Sequence, residues 1–123
     1  MAIYEEWLLK AQRDLDTAKA ILEKAYHDTA IYHTQQCAEK ALKGYCVYRF
    51  QPLIKTHDLE KILNICISLE SSFQQLDILA ISLNGLDVRF RYPDVEFEPE
   101  ADEVADAISW SNIILDFVKT KCV

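Results

Sequence analysis

The chain has 123 residues, half of them hydrophobic and 27% charged, with a formal net charge of −7. That length suits one domain at the usual ~100–200 residues each, and the apolar content excludes a disordered chain. No apolar run approaches the ~20 residues needed to cross a bilayer, and the start, Met1-Ala2-Ile3-Tyr4-Glu5-Glu6, lacks the basic lead of a signal peptide.

Two glycines and three prolines leave little turn chemistry for a β fold, and the periodicity is helical throughout. Tyr4, Leu8, Ala11, Leu15, Ala18, Leu22 and Ala25 recur at spacings of three and four, which predicts a first helix of about 22 residues. Asp28 is the expected N-cap of a second helix running to about Phe50, with Ile31, Thr34, Ala38, Ala41, Leu42, Tyr45 and Tyr48 as its core stripe. At about 100° per residue, Gln36, Lys40 and Lys43 share the opposite side, a solvated face or a contact strip. Gly44 inside this helix costs roughly 1 kcal/mol against alanine and permits close approach of a neighbour.

A shorter third helix is expected to open at Thr56-His57-Asp58, with Thr56 as cap and Asp58 favouring the positive helix end. Ser71 or Ser72 caps a fourth, whose apolar positions run with a 3.6 period from Phe73 to Phe90 until Tyr92-Pro93 stops it. Pro99 fits the first turn of the last helix, where Glu100, Asp102 and Glu103 complement the dipole. The expected architecture is all-α, an antiparallel up-and-down bundle of four long helices plus one short helix, with residues 1–123 as one cytoplasmic domain. Trp110, Ile113, Ile114 and Phe117 spread around the final helix beyond one stripe, which points to a homodimer joined through it.

Residues 92 to 118 carry eight acids and no Lys or Arg, so the rest of the chain is nearly balanced. Such a protein has no general pull toward phosphate backbones, though a locally basic end remains open to it. Cys37, Cys46, Cys66 and Cys122 form no C-x-x-C pair and read as reduced, mostly buried thiols. His33 and Cys37 are spaced for a shared helix face, but two further ligands at recognisable spacing are missing, so no metal is expected. No phosphate loop, nucleophile elbow or H-E-x-x-H pair is present.

Gln35-Gln36-Cys37-Ala38-Glu39-Lys40-Ala41-Leu42-Lys43 is followed by Lys55-Thr56-His57-Asp58-Leu59 and then by Arg91-Tyr92-Pro93-Asp94. Together with Trp7 and Asp14-Leu15 of the first helix, this order resembles the HEPN family over residues 4 to about 118. The resemblance implies a bundle of four to five helices that commonly forms homodimers. It also implies one of two roles. Many members resemble endoribonucleases of toxin–antitoxin or defence systems, which use an arginine and a histidine separated by four to six residues. Others accompany a separately encoded minimal nucleotidyltransferase, as its toxin partner or in binding nucleotide.

The nuclease spacing is absent: none of Arg13, Arg49, Arg89 and Arg91 precedes a histidine at that distance, and Pro52 lies between Arg49 and His57. Metal-independent RNA cleavage needs an acid or base near neutrality and a cation on the phosphate. The expected ligand or partner surface is therefore Gln36, Lys40, Lys43, Lys55, His57, Arg91 and Tyr92, with Arg91 and His57 as catalytic groups only under a nuclease reading. No cofactor is expected beyond a nucleotide ligand. Three classes follow: a dimeric binding module paired with a nucleotidyltransferase, with nucleotide or RNA as further ligands; an unorthodox HEPN ribonuclease toxin; or a purely structural interaction protein.

Overall fold

A computed structural model describes residues 1–90 and 98–123, so Arg91, Tyr92 and the Pro93 stop lie outside the described residues. The helices are α1 (Ile3–Leu22), α2 (His27–Tyr48), α3 (Leu59–Leu69), a 3-10 helix (Ser71–Leu76), α4 (Asp77–Leu83), α5 (Leu86–Arg89) and α6 (Ala101–Lys121). The all-α bundle is as the periodicity predicts.

α2 is the central element, packed against α1, α3, α4, α5 and α6. Its expected stripe is buried from Ile31 to Tyr45, and Ala11, Leu15 and Ala18 of α1 close over it. The pair is antiparallel, because Gly44 near the end of α2 meets Trp7 and Leu8 near the start of α1. A Cβ on Gly44 would lie 3.2 Å from Trp7 Cβ and from Leu8 Cδ2, so the close approach expected of this glycine is real. On α6, Val104, Ala107, Ile114, Leu115 and Val118 are buried, while Trp110 and Phe117 pack against the core from its edge. Of the surplus apolar residues on this helix, Ile113 is the exposed one.

The segment after α2 carries the chain back before α3 begins, so α3 lies alongside α2 in the same sense. Gln35 Nε2 donates to His57 O just before α3, and Arg49 Nη1 donates to Leu69 O at its end. The longer elements still alternate up and down around this short helix.

Three boundaries differ from the sequence expectation. α2 starts at His27 with Tyr26 preceding it, which places Asp28 in the first turn, where its charge still favours the positive helix end. Asp58 rather than Thr56 caps α3: its carboxylate accepts from the amides of Glu60 and Lys61, and Thr56 Oγ1 accepts from Asp58 N. Pro99 sits just outside α6, whose N-cap is Glu100.

The expected continuous fourth helix is divided into the 3-10 turn, α4 and α5. Glu70, not Ser71 or Ser72, precedes the 3-10 turn. Gly85 at φ 83 then breaks the helix after Asn84, a left-handed backbone that glycine adopts without strain. The periodicity survives the break, since Phe73, Leu76, Ala80, Leu83 and Phe90 are all buried. No helix among the described residues is long and apolar enough to cross a membrane.

Candidate functional site

The middle of α2, the start of α3 and the break between α4 and α5 meet at a cleft of about 550 Å³, whose lining includes Tyr32, Gln36, His57, Asp58, Asn84 and Asp87. The break is what admits the cleft. A continuous helix would carry its backbone straight past α3, whereas the turn at Asn84 lets the amide of that residue face the helix start. Asn84 Oδ1 accepts from Leu59 N at 2.9 Å, and Asn84 Nδ2 donates to Asp58 Oδ1 at 3.0 Å. The Asn84 amide, followed by the amides of Lys61 and Glu60, holds the Asp58 carboxyl below its ordinary pKa.

Beneath the cleft lies a buried charge network centred on Glu39. Its Oε2 accepts from Lys43 Nζ at 3.1 Å, and its Oε1 accepts from Gln35 Nε2 at 3.3 Å. His57 Nδ1 approaches both oxygens, at 3.0 and 3.1 Å. Glu39 and Lys43 are almost fully enclosed, while the His57 side chain is 76% exposed at the rim. Gln36 Nε2 donates to Gln35 Oε1 at 2.8 Å, joining the rim to the same network. Asp87, buried on α5, completes a group in which Glu39, His57 and Asp87 each bring one donor atom within 4.8 Å of the others.

The expected contact surface is thus split. Gln36 and His57 converge on the cleft. Lys43 lies behind it, neutralised by Glu39 and 7% exposed, so it is no surface cation. Lys40 turns to α1, where it donates to Asp14 Oδ2 at 2.6 Å, while His33 Nδ1 contacts Asp14 Oδ1 at 2.8 Å. Lys55 is exposed on the return segment. Arg91 and Tyr92 fall outside the described residues. The three residues the face pattern grouped therefore serve three separate purposes.

Glu39, Gln35, Asn84, Asp87 and Asp14 were not among the expected site residues. Two signals bore on them: Gln35, Glu39 and Lys43 follow one another at i, i+4 spacing, and Asn84-Gly85 is a turn dipeptide.

The suggested His33–Cys37 face does not converge on a ligand either. His33 is spent on Asp14, and Cys37 Sγ donates to Ser111 O. Burial pushes the Cys37 thiol up to about 12 and the Cys122 thiol up to about 11. All four cysteines are free thiols, with Cys46 Sγ and Cys66 Sγ 3.7 Å apart in the core.

The cleft can do two things chemically. Among the described residues its lining holds the carboxylates of Asp58 and Asp87 and no Lys or Arg, while Lys43 is paired with Glu39 beneath it, which suits cationic rather than phosphate groups. A rim histidine contacted at Nδ1 by a buried carboxylate also has its second ring nitrogen outside that contact, a group suited to hydrogen bonding or proton transfer.

Comparison with known proteins agrees with this architecture. The HEPN domain family model matches residues 4–121. A Methanocaldococcus jannaschii protein named "Putative toxin MJ1304" is 25% identical, over 94% of this chain and 88% of its own length. Among solved structures, TT1696 from Thermus thermophilus superposes with a TM-score of 0.81 at 28% identity, covering 98% of this chain and 99% of that one. ST0689, described as an archaeal HEPN homologue, gives a TM-score of 0.79 at 25% identity over the whole of both chains. The bundle, its helix order and the span of the match together establish that this chain belongs to the HEPN domain family.

Proposed function

We propose that this chain is a toxin–antitoxin-type HEPN protein acting as a partner-binding module, a homodimer that engages a minimal nucleotidyltransferase through the cleft. The observation that carries this reading is the charge of the cleft. Among the described residues no Lys or Arg lines it, and the two lysines expected to form a contact strip are neutralised by Asp14 and Glu39. A surface for cleaving RNA needs a cation on the phosphate, whereas an acid-rich cleft suits the basic groups of a protein partner. Ile78, Ile81 and Val88 are exposed on α4 and α5, with Val88 in the cleft wall, and supply apolar area of the kind protein interfaces bury. The toxin name of the Methanocaldococcus jannaschii relative supports the system class. The exposed Ile113 of α6 supports a dimer through the final helices.

A second reading has its own support. The Glu39–His57 pair has the form of a histidine oriented by a carboxylate, the arrangement used for proton transfer in hydrolytic sites. Under this reading the chain is an unorthodox ribonuclease toxin working through His57 and Arg91.

Titration of the tagged chain with a purified minimal nucleotidyltransferase, together with expression of the chain in growing cells, separates the two. Binding that weakens as salt rises, and that His57→Ala with Val88→Lys abolishes, is the expected result. Absence of binding, together with growth arrest that depends on His57, would establish the toxin nuclease in its place.

A further inference from the structure

We infer that Glu39, His57 and Asp87 form a binding site for a borderline divalent transition-metal ion, of which Zn²⁺ is the representative. This goes beyond the partner-binding reading and does not rest on it. The three residues come from α2, the segment before α3, and α5, so no spacing in the sequence reveals them; the expectation of no metal considered only Cys and His spacing.

The donor set is one imidazole nitrogen and two carboxylate oxygens, all within 4.8 Å of one another. Donors around a tetrahedral ion at ~2.0–2.2 Å lie roughly 3.3–3.5 Å apart, so modest side-chain movement brings all three into range. His57 Nδ1 already stands 3.0 Å from Glu39 Oε1. Mixed nitrogen and oxygen donors favour Zn²⁺, Co²⁺ and similar ions over Mg²⁺, which prefers an octahedron of oxygens.

The surroundings fit an ion as well as the donors do. Lys43 and Gln35 hold the Glu39 carboxylate from its buried side, which fixes its direction as outer-sphere partners of metal ligands do. Glu39 and Asp87 are buried while His57 stands at the mouth, so the ion enters from the cleft and keeps positions for water.

The test is calorimetric titration of the chelator-stripped, dialysed full chain with Zn²⁺, followed by the visible spectrum of the Co²⁺-loaded protein. About one Zn²⁺ per chain is expected, with Mg²⁺ binding far more weakly and affinity falling about tenfold or more in His57→Gln and in Asp87→Asn. His57 is exposed, so its variant decides the matter even where Asp87→Asn fails to fold. Cys122→Ser is expected to change nothing, and the Co²⁺ spectrum to show no thiolate-to-metal charge transfer. Any of the following would overturn the site: no saturable Zn²⁺ binding, unchanged affinity in His57→Gln, equal affinity for Mg²⁺, or binding lost in Cys122→Ser.

Discussion

Lys43 Nζ donates to Glu39 Oε2 across 3.1 Å, one turn apart on the central helix, with both side chains more than nine-tenths enclosed. A buried pair of this kind adds little net stability over an apolar equivalent, but removing one partner strands the other charge in the core. Lys43→Met is expected to cost about 3 kcal/mol, near the low end for such breaks because His57 and Gln35 still contact Glu39. Urea unfolding monitored by circular dichroism measures it; a loss below about 0.5 kcal/mol, the range of surface changes, would contradict that burial.

The same pair shows what the sequence could and could not reveal. Gln36, Lys40 and Lys43 share one side of α2 as expected, since about 100° per residue fixes their relative directions. Periodicity does not say which neighbours cover that side. α1 takes Lys40 through Asp14, and the return segment before α3 places His57 over Glu39. A central helix contacts neighbours on nearly every side, so its polar residues end in buried pairs that an amphipathic surface helix would not need.

Gly85 marks a different limit of periodicity. The 3.6 period from Phe73 to Phe90 is real, but it continues across a break because the residues on either side still face the core. The Asn84-Gly85 dipeptide was the contrary signal, and the left-handed φ of 83 shows that it should have prevailed. Gly85→Ala finds open space for its Cβ yet must adopt that backbone, at a cost of about 1–2 kcal/mol. Thermal unfolding of the variant checks this, and an unchanged or raised Tm would contradict it.

Gly44 is constrained for the opposite reason, space rather than backbone. Alanine there gains roughly 1 kcal/mol of helix propensity but presses on Trp7 and Leu8 at 3.2 Å, so Gly44→Ala is expected to be near neutral. Gly44→Leu forces α1 and α2 apart and is expected to cost about 3 kcal/mol. Denaturant titration of the two variants side by side tests the α1–α2 contact, and equal stability of both would contradict it.

The α3 start has a pH signature. Its Asn84 and amide hydrogen bonds depress the Asp58 pKa in the folded state, so the stability they contribute is present above the ordinary carboxylate pKa of ~4. That contribution is lost as pH falls through the lowered folded value. The urea midpoint of the wild type is therefore expected to exceed that of Asp58→Ala at neutral pH, and the gap to shrink in acid. A gap that stays constant or widens on acidification would contradict the capping role.

Whether this HEPN chain binds a partner without cleaving RNA by itself is tested most directly by incubating the purified protein with cellular RNA. The reaction is run with and without divalent cations and followed by gel analysis of the RNA. Intact RNA is expected under every condition. Cleavage that disappears in His57→Ala, while that variant remains folded, would contradict the partner-binding reading and make the Glu39–His57 pair a catalytic one.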